Sequence, residues 1–253
     1  RLGSLDSMAK QNTKNRRKRR FYKRKGLWVF LLLCMTAAIV ALRIANERLE
    51  PYKQQAAAID ISTIDDVEIP SMILDRKGRE IGRMFVENRS KVSIEEVPEK
   101  LIDALIAQED QRFFEHNGVD QVGVARAVWL NFKARAVTQG ASTITMQLAR
   151  NAFDLKSGAR ALGQTGIERK IVEAFLALRI ERHLTRSLMA EYPDETERKG
   201  RMKRVVLEYY LNRIPFGHGY YGVRSAALGY FGKEPMALTV EECASLEIGR
   251  AHV

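Results

Sequence analysis

Apolar side chains change their spacing along this chain, and each change predicts a different kind of element. Between residues 26 and 42, "GLWVFLLLCMTAAIVAL", seventeen positions pass without a charge, near the short end of what crosses a bilayer as a helix. From 71 to 94, "SMILDRKGREIGRMFVENRSKVSI" alternates apolar and polar residues around Asp75 to Gly78. This predicts a β-hairpin, with Gly78 suited to its tight turn. From Val97-Pro98 onward the period becomes helical, and helices are predicted over 98–109, 119–133, 142–152, 167–183 and 201–212. Pro98 suits a first helical position, and Ser142 is placed to cap the third helix. Residues 46–70 are charged and loosely patterned, a stalk. Residues 154–166, "DLKSGARALGQTG", carry three glycines and no period, so a mobile loop is expected there.

Charge sharpens the reading of the first apolar run. The chain carries a formal +11, but residues 1–25 hold eleven Lys/Arg against Asp6 alone, leaving 31 basic and 30 acidic residues elsewhere. The body is nearly neutral. A basic tail (1–25) before an apolar run predicts a membrane anchor over 26–45, with Arg43 able to snorkel, the N-terminus in the cytoplasm and the remainder outside. A buried core helix is disfavoured by the basic flank, and a cleaved signal peptide by Arg43 near the run's end. Nucleic-acid binding lacks an accompanying aromatic surface or reading module. The two cysteines, Cys34 and Cys243, are too few and too far apart for a disulfide framework or a metal cage.

Candidate chemistry begins at "LIAQEDQRFFEHNG" (105–118). Ile102, Leu105, Ile106 and Glu109 fall at i, i+3, i+4 and i+7, the stripe that packs on a core, so Glu109 is expected to point inward or into a cleft. A carboxylate there suits a general acid or base; a half-buried Glu paired with an Arg is the plainer alternative. In "GASTITMQLARN" (140–151), Thr143, Gln147 and Asn151 recur every four residues, a polar stripe suited to sugar hydroxyls and phosphate oxygens or to plain solvation. In "ERKIVEAFLALRIE" (168–181), Arg169, Lys170 and Glu173 share one helical face. They form either an ordinary helix ion pair or a cationic platform for a diphosphate, with Glu173 orienting the cations or holding a metal ion.

"EDQRFFEHNG", "GASTITMQLARN", "RKIVE" and "RVVLEYYLNRIPFGHGYYGVRSAALGYFGK" (204–233) resemble, in this order, the successive motifs of glycosyltransferase family 51. This is the peptidoglycan glycosyltransferase module of class A penicillin-binding proteins and of monofunctional murein polymerases. The resemblance covers about residues 70–246, and "ILDRKGREIGRMFVENR" is more similar to the bifunctional proteins. It implies a mainly α, lysozyme-like helical domain (71–247, incomplete) with a short N-terminal β-hairpin, preceded by one transmembrane helix. It also implies polymerisation of lipid II: the 4-hydroxyl of the acceptor's GlcNAc attacks the anomeric carbon of the lipid-linked glycan with inversion, releasing polyprenyl diphosphate.

By the same resemblance Glu109 is the general base, and Glu173 supports Arg169 and Lys170 at the diphosphate or binds a divalent ion such as Mg2+. Asp110, Phe113, His116 and Gly118 shape the first motif around Glu109, and the first three are counted with the substrate-binding set. Ser142, Thr143, Gln147 and Asn151 contact donor sugar or phosphate, and Lys233 is either a phosphate contact or a helix-end charge. The loop 154–166 becomes a hinge or lid. Met146 departs from the Gln usual before Gln147, and 185–202 is longer than the usual link, a surface insertion. The expected partners are lipid II, the growing glycan, the membrane and other cell-wall synthesis proteins, with no nucleic acid. The closing "EIGRAHV" resembles an in-frame translation of a sequencing adapter, so 248–253 are expected to be non-native. Two other classes compete, a lysozyme-like or lytic hydrolase and a non-catalytic cell-wall scaffold.

Overall fold

Short polar side chains set most of the helix starts. In the computed structural model, which describes residues 2–65, 71–77, 80–84, 88–89, 91–136 and 140–250, the chain forms two compact units, 1–51 and 52–253. The helix α1 (Leu2–Ala58) makes up the first and enters the second. Its apolar run is exposed from Leu32 to Leu42. Among the described residues no helix is long and apolar enough to cross a membrane. Of the expected span 26–45, the side chains of Gly26, Leu27, Val29 and Leu31 lie outside the described residues, as do those of the basic tail.

The second unit is mainly helical. Asp120 caps α3 (Gln121–Ala134), Thr143 caps α4 (Ile144–Ala152), and Asp194 caps α7 (Glu195–Leu211), each accepting a backbone N–H of the first turn. Thr165 and Glu168 form a capping box at α6 (Gly166–Ser187). Helix α2 (Glu99–Glu109) has Pro98 at its cap, one residue earlier than the expected first-turn position. Helices α8 (Val223–Phe231) and α9 (Val240–Arg250) close the unit. Strand β1 (Ser71–Leu74) pairs antiparallel with β2 (Glu80–Met84); residues 78–79, at the expected tight turn, lie outside the described residues. The short β3 (Asn88–Arg89) runs parallel to β4 (Tyr220–Tyr221).

The centre of the core is α4. Every side chain from Thr143 to Ala149 is buried, and the helix packs on both α6 and α7. A helix enclosed on all sides must satisfy its polar groups internally, and this requirement builds the site. Leu101, Ile102 and Leu105 bury the stripe of α2, and Leu176, Ile180, Val206, Leu207 and Tyr210 close over α4 from α6 and α7.

Three expectations change. The supposed loop 154–166 contains a helix, α5 (Leu155–Ala161), started by Asp154 and pinned by buried Leu155 and Ala159. Two apolar anchors four residues apart give too short a pattern to be read as a period. The helix expected at 201–212 begins six residues early, as α7, because its first turns carry polar, solvent-facing side chains, so the end of α6 and the start of α7 both fall within 185–202, the expected surface insertion. Much of the supposed stalk belongs to the core: Ala56 and Ile64 are buried, and the Tyr52 hydroxyl donates to Glu168 at 2.8 Å. The Arg179 guanidinium donates to the carbonyls of Ala56 and Ile59. Residues 66–70 lie outside the described residues.

Candidate active site

Glu109 is the last residue of α2 and is half-buried. The reason for its placement is Gln147 on α4, whose Nε2 donates to Glu109 Oε2 at 2.5 Å. The Tyr210 hydroxyl, fully buried on α7, donates to Gln147 Oε1 at 3.0 Å. Both ends of the Gln147 amide are therefore engaged. This fixes the amide's orientation and presents its N–H groups to the carboxylate. Gln147, expected to meet substrate, is buried and bonded to Glu109 and Tyr210.

Asp110 performs a different task from its neighbour. It caps α2 at its C-terminal end; its side chain lies 3.0 Å from His116 Nε2 and accepts the Ile144 N–H at 3.1 Å. A single buried carboxylate thus joins the first motif to the start of α4. Gly118 is held at φ +80, where a Cβ would meet the Ala177 carbonyl carbon at 2.9 Å, so only glycine lets this turn approach α6. Its own carbonyl accepts from Thr143 Oγ1 at 2.6 Å. Thr143, not Ser142, is the cap of α4, with extended backbone and a hydroxyl that also accepts from Met146 N at 3.2 Å. Thr143 is engaged in these contacts and lines the cavity beside Ser142, which stands one residue outside the helix.

That cavity, of about 420 Å³, is lined by Glu109, Arg112, Asp120, Arg126 and Ser142, among others. Phe113 is fully buried and lies under Lys203, whose Nζ stands 4.4 Å from its ring centroid. Lys203 Nζ donates to Glu181 Oε1 at 2.7 Å, and Thr145 Oγ1 donates to the same oxygen at 2.6 Å. Burial pushes the Lys203 ammonium below its ordinary pKa, with Glu181 opposing. Phe113 and His116 accordingly support the motif from within.

The second carboxylate meets the same helix one turn further on. Glu173 on α6 is wholly enclosed, with Arg169 Nε 3.0 Å from Oε1 and Arg150 of α4 3.9 Å from Oε2. Burial raises its carboxyl pKa, opposed by Arg150, Arg169 and Lys170. Lys170 is exposed and Asn151 half-buried. Gln147 and Arg150 are three residues apart, so α4 holds Glu109 and the cation group along one face. One carboxylate between two guanidinium groups does not fit a divalent cation, which takes about six oxygen ligands. Among the described residues no group of three or more His, Cys, Asp or Glu could hold a metal ion. Lys233 is engaged elsewhere, at 2.7 Å from Glu242 of α9.

Sequence reasoning missed Arg150, Tyr210 and Lys203. Arg150 had a signal, standing three residues after Gln147 and one before Asn151; the other two are visible only through contacts between α4, α6 and α7.

Comparison with known proteins gives the family of the chain. The chain is 42% identical over 187 residues to penicillin-binding protein 1A of Escherichia coli, covering 73% of this chain and 19% of that protein. It is 39% identical over 176 residues to penicillin-binding protein 1A of Aquifex aeolicus, covering 70% and 21%. It is 40% identical over 176 residues to penicillin-binding protein 1F of Bacillus subtilis, again covering 70% and 21%. The chain thus spans about a fifth of the length of these relatives. Residues 77–249 match the transglycosylase family, and that stretch holds both Glu109 and Glu173 with all of their cation and amide partners: the chain belongs to the transglycosylase family.

Proposed function

We propose that this chain is a peptidoglycan glycosyltransferase that polymerises lipid II into glycan strands for cell-wall synthesis. The observation that carries the reading is the pairing along α4 of a carboxylate held by Gln147 with a cation group one turn away. Glu109 takes the proton of the acceptor's GlcNAc 4-hydroxyl as that oxygen bonds to the donor's anomeric carbon. The bond from that carbon to the diphosphate breaks on the opposite face, and polyprenyl diphosphate leaves. An inverting displacement needs a base on the attacking side. The diphosphate needs no acid, only fixed positive charge where its own charge grows; Arg150, Arg169 and Lys170 supply it. Glu173 keeps the two guanidinium groups in place, and Ser142 and Arg126 are positioned for substrate at the cavity wall.

The lipid tails of such substrates require a site at a membrane surface. The apolar run 26–42 serves as the anchor in the bacterial cytoplasmic membrane, with the basic tail inside and the catalytic unit outside. Helix α3 contributes a second contact: its Gly123 and Arg126 line the cavity, while Val122, Val128, Trp129 and Phe132 are exposed. A lytic hydrolase would share the buried Glu but has no use for the cation group. Labelled lipid II in detergent tests the reading: long glycan strands are expected, whereas no polymer from lipid II, together with cleavage of added preformed glycan to new reducing or anhydro ends, would favour the hydrolase.

A further inference from the structure

The start of α6 carries Arg169 and Lys170, yet little apolar contact fixes it. No residue from 160 to 171 is buried, and Leu162 and Ile167 are 66% and 75% exposed. The helix buries its first side chain at Val172. A stretch with so little buried surface opens locally at low cost, so its geometry depends on polar contacts.

Those contacts come from two directions. Within the turn, Glu168 Oε2 accepts from the Thr165 N–H at 2.7 Å and from Thr165 Oγ1 at 2.9 Å, the capping box of the helix. The other oxygen, Oε1, accepts from the Tyr52 hydroxyl at 2.8 Å. One turn further along α1, Gln55 Oε1 accepts from Gln164 Nε2 at 2.8 Å. Tyr52 and Gln55 therefore grip the residues on either side of the Thr165 cap.

Both belong to a strap, 52–65, that lies within the second unit and is itself well seated. Ala56 and Ile64 are buried, and Tyr52, Ile59 and Ile61 pack against the core. Arg179, in the packed middle of α6, donates to the carbonyls of Ala56 and Ile59. The strap is thus held by the packed part of α6 and in turn holds its exposed start.

We propose that Tyr52 and Gln55 are positioning residues for the leaving-group cations: by fixing Glu168 and Gln164 they hold the turn that carries Arg169 and Lys170. The proposal rests on the glycosyltransferase reading, in which those cations meet the diphosphate. Fixed charge stabilises a growing anion only when it is already in place, and a small misplacement of it costs rate.

The full chain in detergent is assayed with labelled lipid II, and amide hydrogen exchange of the same samples is read by mass spectrometry. The double variant Y52F/Q55A removes both bonds and keeps the aromatic ring. It is expected to exchange faster over 165–170 with α4 unchanged, and to lower kcat about three- to tenfold with KM little changed. Adding Tyr52→Phe to Glu168→Ala is expected to cost nothing further, since the two act through one contact. Ser62→Ala, on the exposed turn of the same strap, is expected to leave both readouts at the parent's values. A parent that makes no glycan overturns the underlying reading and this proposal with it. With an active parent, unchanged kcat or unchanged exchange over 165–170 in Y52F/Q55A overturns the proposal alone. So does faster exchange in α4 as well, which marks general destabilisation, an additive loss in the Glu168→Ala background, or a loss in Ser62→Ala.

Discussion

Replacing Lys203 by Met probes the buried framework under the first motif. Lys203 is fully enclosed and Glu181 nearly so, and the two meet at 2.7 Å. Removing one partner of such a pair leaves the other charge uncompensated, which costs about 3–5 kcal/mol. A domain of this size has a total stability of about 5–15 kcal/mol. K203M should therefore fold, but with a urea midpoint far below the parent's at an unchanged denaturant slope. The cost belongs to the stranded carboxylate more than to lost packing, since Met fills much of the lysine stem's volume. The double variant K203M/E181Q, which keeps an acceptor for Thr145 Oγ1 and removes both charges, should recover half or more of the loss. A single variant within about 1 kcal/mol of the parent, or a double variant as unstable as the single, would refute the reasoning.

Other outcomes follow from the same contacts. Tyr210→Phe removes the hydroxyl that fixes the Gln147 amide, a bond worth about 0.5–1.5 kcal/mol. Turnover of lipid II should fall about three- to tenfold in kcat, with KM little changed, and an unaltered kcat would count against Gln147 as the positioner of Glu109. Arg150→Gln removes a cation from the leaving-group side and should lower kcat by about tenfold or more, whereas a change in KM alone would make Arg150 a binding residue only. Burial and the neighbouring Asp65 carboxylate push the Tyr209 phenol up to about 12 from 10.0. Because the folded value lies above the unfolded one, the stability tied to this group is complete below about pH 10 and is lost as pH rises towards 12. Ultraviolet titration should find a phenol ionising near pH 12 that is lost in Tyr209→Phe.

Much of the helical framework was legible because α2, α3, α4 and α6 each carry an apolar stripe against a polar face. The predicted 98–109 and 142–152 differ from α2 and α4 by one or two residues at the start. Glu109 was found by the same means, since it continues the stripe of Ile102 and Leu105, both buried in the structure. Helix α5 escaped because seven residues with two anchors do not establish a period, and the first turns of α7 escaped because their side chains face solvent. The polar stripe of Thr143 and Gln147 was legible, but the protein partners of these two side chains were not. A polar stripe on an amphipathic helix ordinarily faces solvent or substrate, but α4 is enclosed on every side, so its polar residues bond inward. Partners such as Tyr210, 63 residues from Gln147, follow from tertiary packing and leave no local pattern.

The most direct measurement is polymerisation of labelled lipid II in detergent by the parent and by Glu109→Gln, with circular dichroism of both. Glutamine keeps the size of the side chain and removes the base. The account predicts long glycan strands from the parent and a loss of about a hundredfold or more from a folded Glu109→Gln. Strand synthesis by Glu109→Gln at a rate near the parent's would contradict it.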